Sequence, residues 1–81
     1  MDDAHVMKVM GEILARQGKK SDVRPGQTLQ EIGFRSLDFS ELVLRLEDEA
    51  GVEWNFDAAP LRQIATVKDV LEFLRALRQA H

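Results

Sequence analysis

Apolar residues recur every three or four positions in three separate segments of the chain, which is the spacing that places them on one face of an α-helix. The first segment runs from about Asp3 to Gln17, the second from Ser36 to the stop at Gly51, and the third from Thr66 onward. Thr66 and Asp69 have the spacing of a capping box at the start of this third segment. The apolar stripes are Val6, Val9, Met10, Ile13 and Leu14, then Phe39, Leu42, Val43, Leu46 and Ala50, then Val67, Val70, Leu71, Leu74 and Leu77. The pattern predicts three amphipathic helices that bury these faces against one another.

A long loop is expected between the first two of these helices. Turn-forming residues interrupt any helical period in residues 21–35. Leu29, Ile32 and Phe34 are apolar and are predicted to hold the loop against the bundle. Gly33 supplies the backbone freedom for a tight approach to the second helix. We therefore expect an ordered loop rather than a flexible linker.

Two shorter elements complete the prediction. The pair Thr28 and Glu31 has the spacing of a capping box and predicts a short helical turn inside the loop. A short third helix is expected over residues 57–63, after an extended connector. The predicted fold is all-α: one domain over residues 1–81, a small four-helix bundle of three main helices plus one short third helix, with a long loop between helices 1 and 2.

The length and composition exclude several classes of function. A chain of 81 residues forms one small domain with little room for an enclosed active site beside its core. It has no cysteine, so disulfides, a thiolate nucleophile and zinc thiolate sites are excluded. Any thioester chemistry would need a thiol from an attached prosthetic group.

Charge and hydropathy limit the classes of partner that the chain could bind. The formal net charge of −3 argues against a nucleic-acid binder, which needs a basic surface to neutralise phosphates. No signal-like segment is evident, and no apolar run approaches the ~20 residues that cross a bilayer. We expect a cytoplasmic monomer with no membrane insertion.

The second predicted helix carries two leucines that its apolar stripe does not include. Leu37 and Leu44 are seven residues apart and therefore share a different face of the helix. The side chains around that face are mostly acidic: Ser40, Glu41, Glu47 and Asp48. One interpretation is a docking surface for a basic partner, and the other is that isolated surface leucines are common and need no explanation.

A serine stands where the loop passes into this helix. Serine is a preferred N-cap residue, so Ser36 could simply satisfy free backbone N–H groups. Alternatively, its hydroxyl is an attachment point for a cargo. Position alone favours the cap, and the neighbouring residues are needed to choose between the two.

The stretch Gly33-Phe34-Arg35-Ser36-Leu37-Asp38, continued by Phe39-Ser40-Glu41-Leu42-Val43-Leu44 and the acidic residues up to Gly51, resembles the attachment region of the acyl carrier proteins. In that family a serine followed by Leu or Met opens an acidic helix. The spacing of the flanking helices extends the resemblance over nearly the whole chain.

The resemblance implies a role for each residue of this region. Ser36 would receive 4′-phosphopantetheine, delivered from coenzyme A by a phosphopantetheinyl transferase. The helix would be the partner-recognition helix, with Leu37 and Leu44 as contacts. The steering charges would be Asp38, Glu41, Glu47 and Asp48.

Residue 35 departs from the family pattern, in which an aspartate usually precedes the serine. Arg35 replaces a negative contact by a positive one. Since that position helps the transferase to recognise its carrier, Arg35 is expected to alter partner choice. A specialised, discrete carrier fits this change better than the housekeeping fatty-acid carrier does.

The function implied by the resemblance is that of a carrier. The chain would hold acyl intermediates as thioesters and deliver them to acyl-loading and acyl-transfer or condensing enzymes of fatty-acid, lipid or polyketide-type biosynthesis. One alternative is an aminoacyl or peptidyl carrier. The other is a helical interaction module that is not modified and uses the Leu37/Leu44 face alone.

Catalytic and metal-binding interpretations are less favoured. His5 and His81 stand at opposite ends of the chain, and no evident general base lies beside Ser36. The acidic run 47–53 lacks the alternating Asp/Asn and Gly pattern of an EF-hand loop. We therefore expect neither an enzyme nor a metal site.

Overall fold

The computed structural model describes residues 2–54 and 62–79. They form four helices, α1 over Asp3–Arg16, α2 over Leu29–Ile32, α3 over Ser36–Ala50 and α4 over Val67–Gln79. Within those residues no strand forms, and the only β contact is one isolated bridge between Thr28 and Thr66. The predicted all-α fold is confirmed.

The core lies where α1 packs against both α3 and α4. Its buried apolar side chains are Val6, Val9, Met10, Ile13, Leu14, Phe34, Phe39, Leu42, Val43, Leu46, Trp54, Val67, Val70, Leu71 and Leu74. The predicted stripes therefore face inward, with two exceptions at helix ends. Leu77 is half-buried, and Ala50 is exposed because it is the last residue of α3, between the exposed Glu49 and Gly51.

The structure describes one of the two predicted short helices in full. The expected helix over 57–63 lies mostly outside the described residues. Its last two positions, Arg62 and Gln63, are described and belong to a 3₁₀ turn. Within the loop, a single helical turn, α2, forms where Thr28 and Glu31 predicted it. The Thr28 N–H donates to Glu31 Oε1 at 2.8 Å and the Glu31 N–H donates to Thr28 Oγ1 at 3.1 Å.

The loop is hydrogen-bonded to the start of α4. The Leu29 N–H donates to the carbonyl oxygen of Ala65 at 2.9 Å, and the Val67 N–H donates to the carbonyl oxygen of Gln27 at 3.0 Å. The side chain of Phe34 is buried, as predicted, and Leu29 packs half-buried against the core. The loop is therefore a fixed part of the domain, and it delivers the chain to α3 at a defined place.

A glycine inside α1 permits a second close approach of the loop. Gly11 is buried, and a Cβ at this position would lie 2.5 Å from the carbonyl oxygen of Ser21. Contacts this short do not occur with a real Cβ, so a side chain here would force the loop backbone away from α1. The sequence analysis assigned no role to Gly11.

Helix α4 begins with the predicted capping box. The Asp69 N–H donates to Thr66 Oγ1 at 3.1 Å, and Asp69 Oδ2 accepts the N–H groups of Ala65 and Thr66, both at 3.0 Å. The backbone hydrogen bonds from Ala65 and Thr66 lower the pKa of the Asp69 carboxyl below its usual value. Helices α1 to α4 are each too short or too polar to cross a membrane.

Candidate functional site

Ser36 is the first residue of α3, and Arg35 occupies the N-cap position. The interpretation of Ser36 as the helix cap is therefore wrong. The Ser36 side chain is exposed and its hydroxyl makes no hydrogen bond with any described residue. Arginine cannot accept a hydrogen bond, so the Arg35 side chain does not cap the N–H groups of the first turn of α3. The serine hydroxyl is left available for chemistry.

Asp38, at the third position of α3, makes the other hydrogen bond of a capping box. Its Oδ2 accepts the Arg35 N–H at 2.8 Å, and its Oδ1 accepts a hydrogen bond from Gln17 Nε2 at 2.6 Å. The residue is only 7% exposed, in contrast to the other acidic residues of α3. The prediction that Asp38 is a steering charge is therefore corrected: this carboxylate joins the start of α3 to the end of α1.

A lysine holds the segment that approaches Ser36. Lys19 Nζ donates to the carbonyl oxygen of Gly33 at 2.6 Å, and the Phe34 N–H donates to the carbonyl oxygen of Leu29 at 2.9 Å. Gly33 has a left-handed conformation with φ of 73°, which a residue with a side chain rarely adopts. These contacts close α2 and turn the chain towards Ser36.

The sequence analysis missed two of these positioning residues. Gln17 was considered only as the end of the first helix, and Lys19 had no assigned role in the site. Their partners, Asp38 and Gly33, are 21 and 14 residues away along the chain. No local signal marks such pairs, because only the packed fold brings them together.

Ser36 lines one side of a cleft of about 420 Å³. The described residues around it are apolar at Leu29, Phe34, Phe39 and Ile64, and polar at Gln30, Arg35, Ser36 and Ser40. None of these polar side chains is acidic, and two of them, Gln30 and Arg35, carry N–H donors that make no hydrogen bond with a described residue. A free hydroxyl beside donors of this kind fits a phosphopantetheine group, whose phosphate is anionic.

The two leucines outside the apolar stripe are exposed, as predicted. Leu37 exposes 83% of its surface and Leu44 exposes 65%. Among the described residues they are the two most exposed large apolar side chains. Both belong to α3, and Leu37 directly follows Ser36. Their role in docking stays a prediction.

The predicted steering charges are not equally free. Glu41 pairs with Arg16 of α1 and lies 3.9 Å from the Arg45 Nε, while Arg45 also lies 3.5 Å from Glu12 Oε1. Glu47 Oε2 accepts the Trp54 N–H at 2.6 Å. Asp48 is exposed and has no polar contact with any described residue. Of these carboxylates, Asp48 therefore has the most freedom to meet a partner.

The histidine of the described part lies far from Ser36. His5 Nε2 is 2.5 Å from Glu49 Oε2, at the opposite end of α3, and thirteen helical steps correspond to about 20 Å. His81 lies outside the described residues. Across residues 2–54 and 62–79, no group of three potential ligands is arranged to hold a metal ion.

Comparison with known proteins gives a partial match. The chain is 49% identical over 45 residues to an acyl carrier protein of the diatom Phaeodactylum tricornutum, which covers 56% of this chain and 57% of that protein. The chain thus matches little more than half the length of that relative. No protein-family model matches it, and no solved structure gives a significant match. The resemblance to acyl carrier proteins is confirmed by this relative, to which the chain is similar over 45 residues.

Proposed function

We propose that this protein is an acyl carrier in which Ser36 bears 4′-phosphopantetheine. The observation that carries the proposal is the placement of Ser36: an exposed hydroxyl without a partner among the described residues, at the first position of α3 and beside a cleft. The similarity to an acyl carrier protein supports the same role.

The chain contributes position rather than reactivity. Attachment would form a bond between Ser36 Oγ and the pantetheine-side phosphorus of coenzyme A, with cleavage of the pyrophosphate bond and release of adenosine 3′,5′-bisphosphate. No described base contacts the hydroxyl, so the transferase must accept its proton. The terminal thiol of the attached arm would supply the thioester bond to the acyl cargo.

The exposed pair Leu37 and Leu44 would supply apolar contact area for the partners. Asp48 would provide the strongest steering charge, with weaker contributions from Glu47 and Glu41, which already have intramolecular partners. Weak, charge-steered docking permits the rapid exchange that a carrier needs. The partners would be a phosphopantetheinyl transferase and acyl-loading, acyl-transfer or condensing enzymes.

Arg35 indicates which type of carrier this protein is. A positive residue before the attachment serine suits a specialised, discrete carrier of fatty-acid, lipid or polyketide-type biosynthesis. An aminoacyl or peptidyl carrier is the alternative within the same class, and loading by an adenylating enzyme would reveal it. The cytoplasmic location and the monomeric state stay predictions.

The decisive test is incubation with coenzyme A and a broad-specificity phosphopantetheinyl transferase, followed by intact mass measurement. We expect the parent chain to gain one phosphopantetheine and Ser36→Ala to gain none. Ser40→Ala is the matched control, because Ser40 lies one helical turn further along and lines the same cleft. It should be modified like the parent.

The opposite result would support the unmodified interaction module. In that case the parent gains no mass while a known carrier is modified in parallel. Ser36→Ala would then bind partners as well as the parent does, whereas Leu37→Ala would not. The exposed leucine pair favours this module as the second candidate function.

A further inference from the structure

We propose that Arg35 binds the phosphate of the arm attached to Ser36 and so holds the base of the arm against the cleft. The inference rests on the proposed function, because it concerns the group that Ser36 would carry. It assigns a positioning role to the residue by which this chain departs from the pattern of acyl carrier proteins.

The first observation is that the Arg35 guanidinium is free. Arg35 is exposed, and its side chain forms no hydrogen bond or ion pair with any described residue. Other arginines of the bundle are engaged: Arg16 pairs with Glu41, and Arg75 pairs with Asp3. The guanidinium next to the attachment serine is thus available to an external anion.

The second observation is that the nearby carboxylates have other partners. Asp38 is buried and accepts hydrogen bonds from Gln17 and from the backbone N–H of Arg35. Glu31 accepts the Thr28 N–H in the α2 capping box. Neither of them lines the cleft. Among the residues that the structure describes, the cleft beside Ser36 therefore carries a positive charge and no carboxylate to neutralise it.

The third observation is the set of donors in the same cleft. Arg35 lines it together with Ser36, Gln30 and Ser40. The Gln30 amide can donate two hydrogen bonds and makes none with a described side chain. The planar guanidinium presents paired N–H groups that match phosphate oxygens. A phosphodiester on Ser36 would be one residue away from this cation and within the same cleft.

The predicted consequence is that modification stabilises the fold through Arg35. An exposed ion pair between Arg35 and the phosphate contributes little to stability. The rise in Tm on modification should therefore be larger in the parent than in Arg35→Gln by about 1–5 °C at low salt. Salt should screen the interaction between Arg35 and the phosphate, so the rises in Tm of the parent and of Arg35→Gln should become equal at high salt. Arg35→Lys should retain part of the effect, whereas Arg35→Asp should turn the rise into a fall.

The experiment compares the apo and phosphopantetheinylated forms of each variant by thermal unfolding at low and high salt. Taking the difference between the two forms cancels any effect of residue 35 on the helix cap itself. Lys8→Gln is the matched control, since it removes one positive charge from the exposed surface of α1, outside the cleft. Its rise in Tm should equal that of the parent.

The ³¹P resonance of the phosphodiester provides a second measurement that does not depend on stability. We expect it to shift with salt in the parent and in Lys8→Gln, and to be insensitive to salt in Arg35→Gln. If the parent is modified and Arg35→Gln matches it in both measurements, the inference is overturned and the carrier function stands. If the parent gains no phosphopantetheine, the carrier function and the inference fail together.

Discussion

The two ends of α3 use their polar side chains in different ways. At the amino end, the buried Asp38 accepts the backbone N–H of Arg35, while the side chains of Arg35, Ser36 and Leu37 are exposed. At the carboxyl end, Glu47 accepts the Trp54 N–H, and Glu49 pairs with His5 of α1. One acidic helix therefore leaves the side chains at its amino end exposed and uses carboxylates at its other end to hold neighbouring segments.

The comparison teaches that negative charge in the sequence does not by itself identify a docking surface. Glu41 and Glu47 were predicted to steer partners together with Asp48, yet both have contacts inside the domain. Each carboxylate has to be judged by what it already binds. The predictions below separate the two ends of α3 by stability and by modification.

The largest effect is expected at the amino end. Asp38→Ala should lower the free energy of unfolding by about 1–3 kcal/mol, because it leaves the Arg35 N–H and the Gln17 amide without their acceptor. Urea unfolding of the apo protein measures the change. Asp48→Ala is the control, and it should change stability little because the Asp48 side chain has no hydrogen bond or ion pair with a described residue. Equal losses in the two variants would contradict the capping role of Asp38.

A smaller loss is expected at the carboxyl end. Glu47→Ala removes the acceptor of the Trp54 N–H and should destabilise the protein by about 1 kcal/mol. Because this contact is far from Ser36, the rate of phosphopantetheine attachment should change less than it does in Asp38→Ala under conditions where both variants are folded. A larger loss of modification in Glu47→Ala would show that the two ends are not separate.

Acid unfolding tests the capping carboxylate at the start of α4. The hydrogen bonds that lower the pKa of Asp69 stabilise the fold above the unfolded pKa, which is near 3.8, and this contribution is lost as pH falls through the folded pKa. Asp69→Asn should therefore unfold with a weaker dependence on pH in the acid range. Parallel pH profiles for the parent and the variant would argue against the capping carboxylate of α4.

The smallest effect is expected from the pair of His5 and Glu49. Both side chains are partly exposed, and such pairs contribute about 0–1 kcal/mol. A double-mutant cycle with His5→Ala and Glu49→Ala measures the coupling. A coupling comparable to the loss in Asp38→Ala would mean that the carboxyl end of α3 is held as strongly as the amino end.

Local patterns in the sequence predicted the main elements well. The apolar stripes of α1, α3 and α4 face the core, and the capping boxes at Thr28/Glu31 and Thr66/Asp69 form as expected. Both kinds of signal involve residues three or four positions apart. They depend on helix geometry alone, so they can be identified before the tertiary structure is known.

The arrangement around Ser36 required the folded chain. The sequence suggested that Ser36 could be the N-cap and Asp38 a surface charge, whereas Arg35 is the N-cap and Asp38 is buried. The buried position of Asp38 depends on Gln17, which comes within hydrogen-bond distance of Asp38 only when α1 packs on α3. Likewise, the need for glycine at position 11 is set by Ser21, across a loop.

The backbone bonds between the loop and the start of α4 affect how the domain opens. Because Leu29 binds Ala65 and Val67 binds Gln27, the segment before Ser36 cannot leave the bundle without releasing the first turn of α4. We expect these amides to exchange with solvent deuterium as one cooperative unit, slower than the exposed residues around Pro25. Local fluctuations around Ser36 would then be governed by a helix that begins some thirty residues later in the chain.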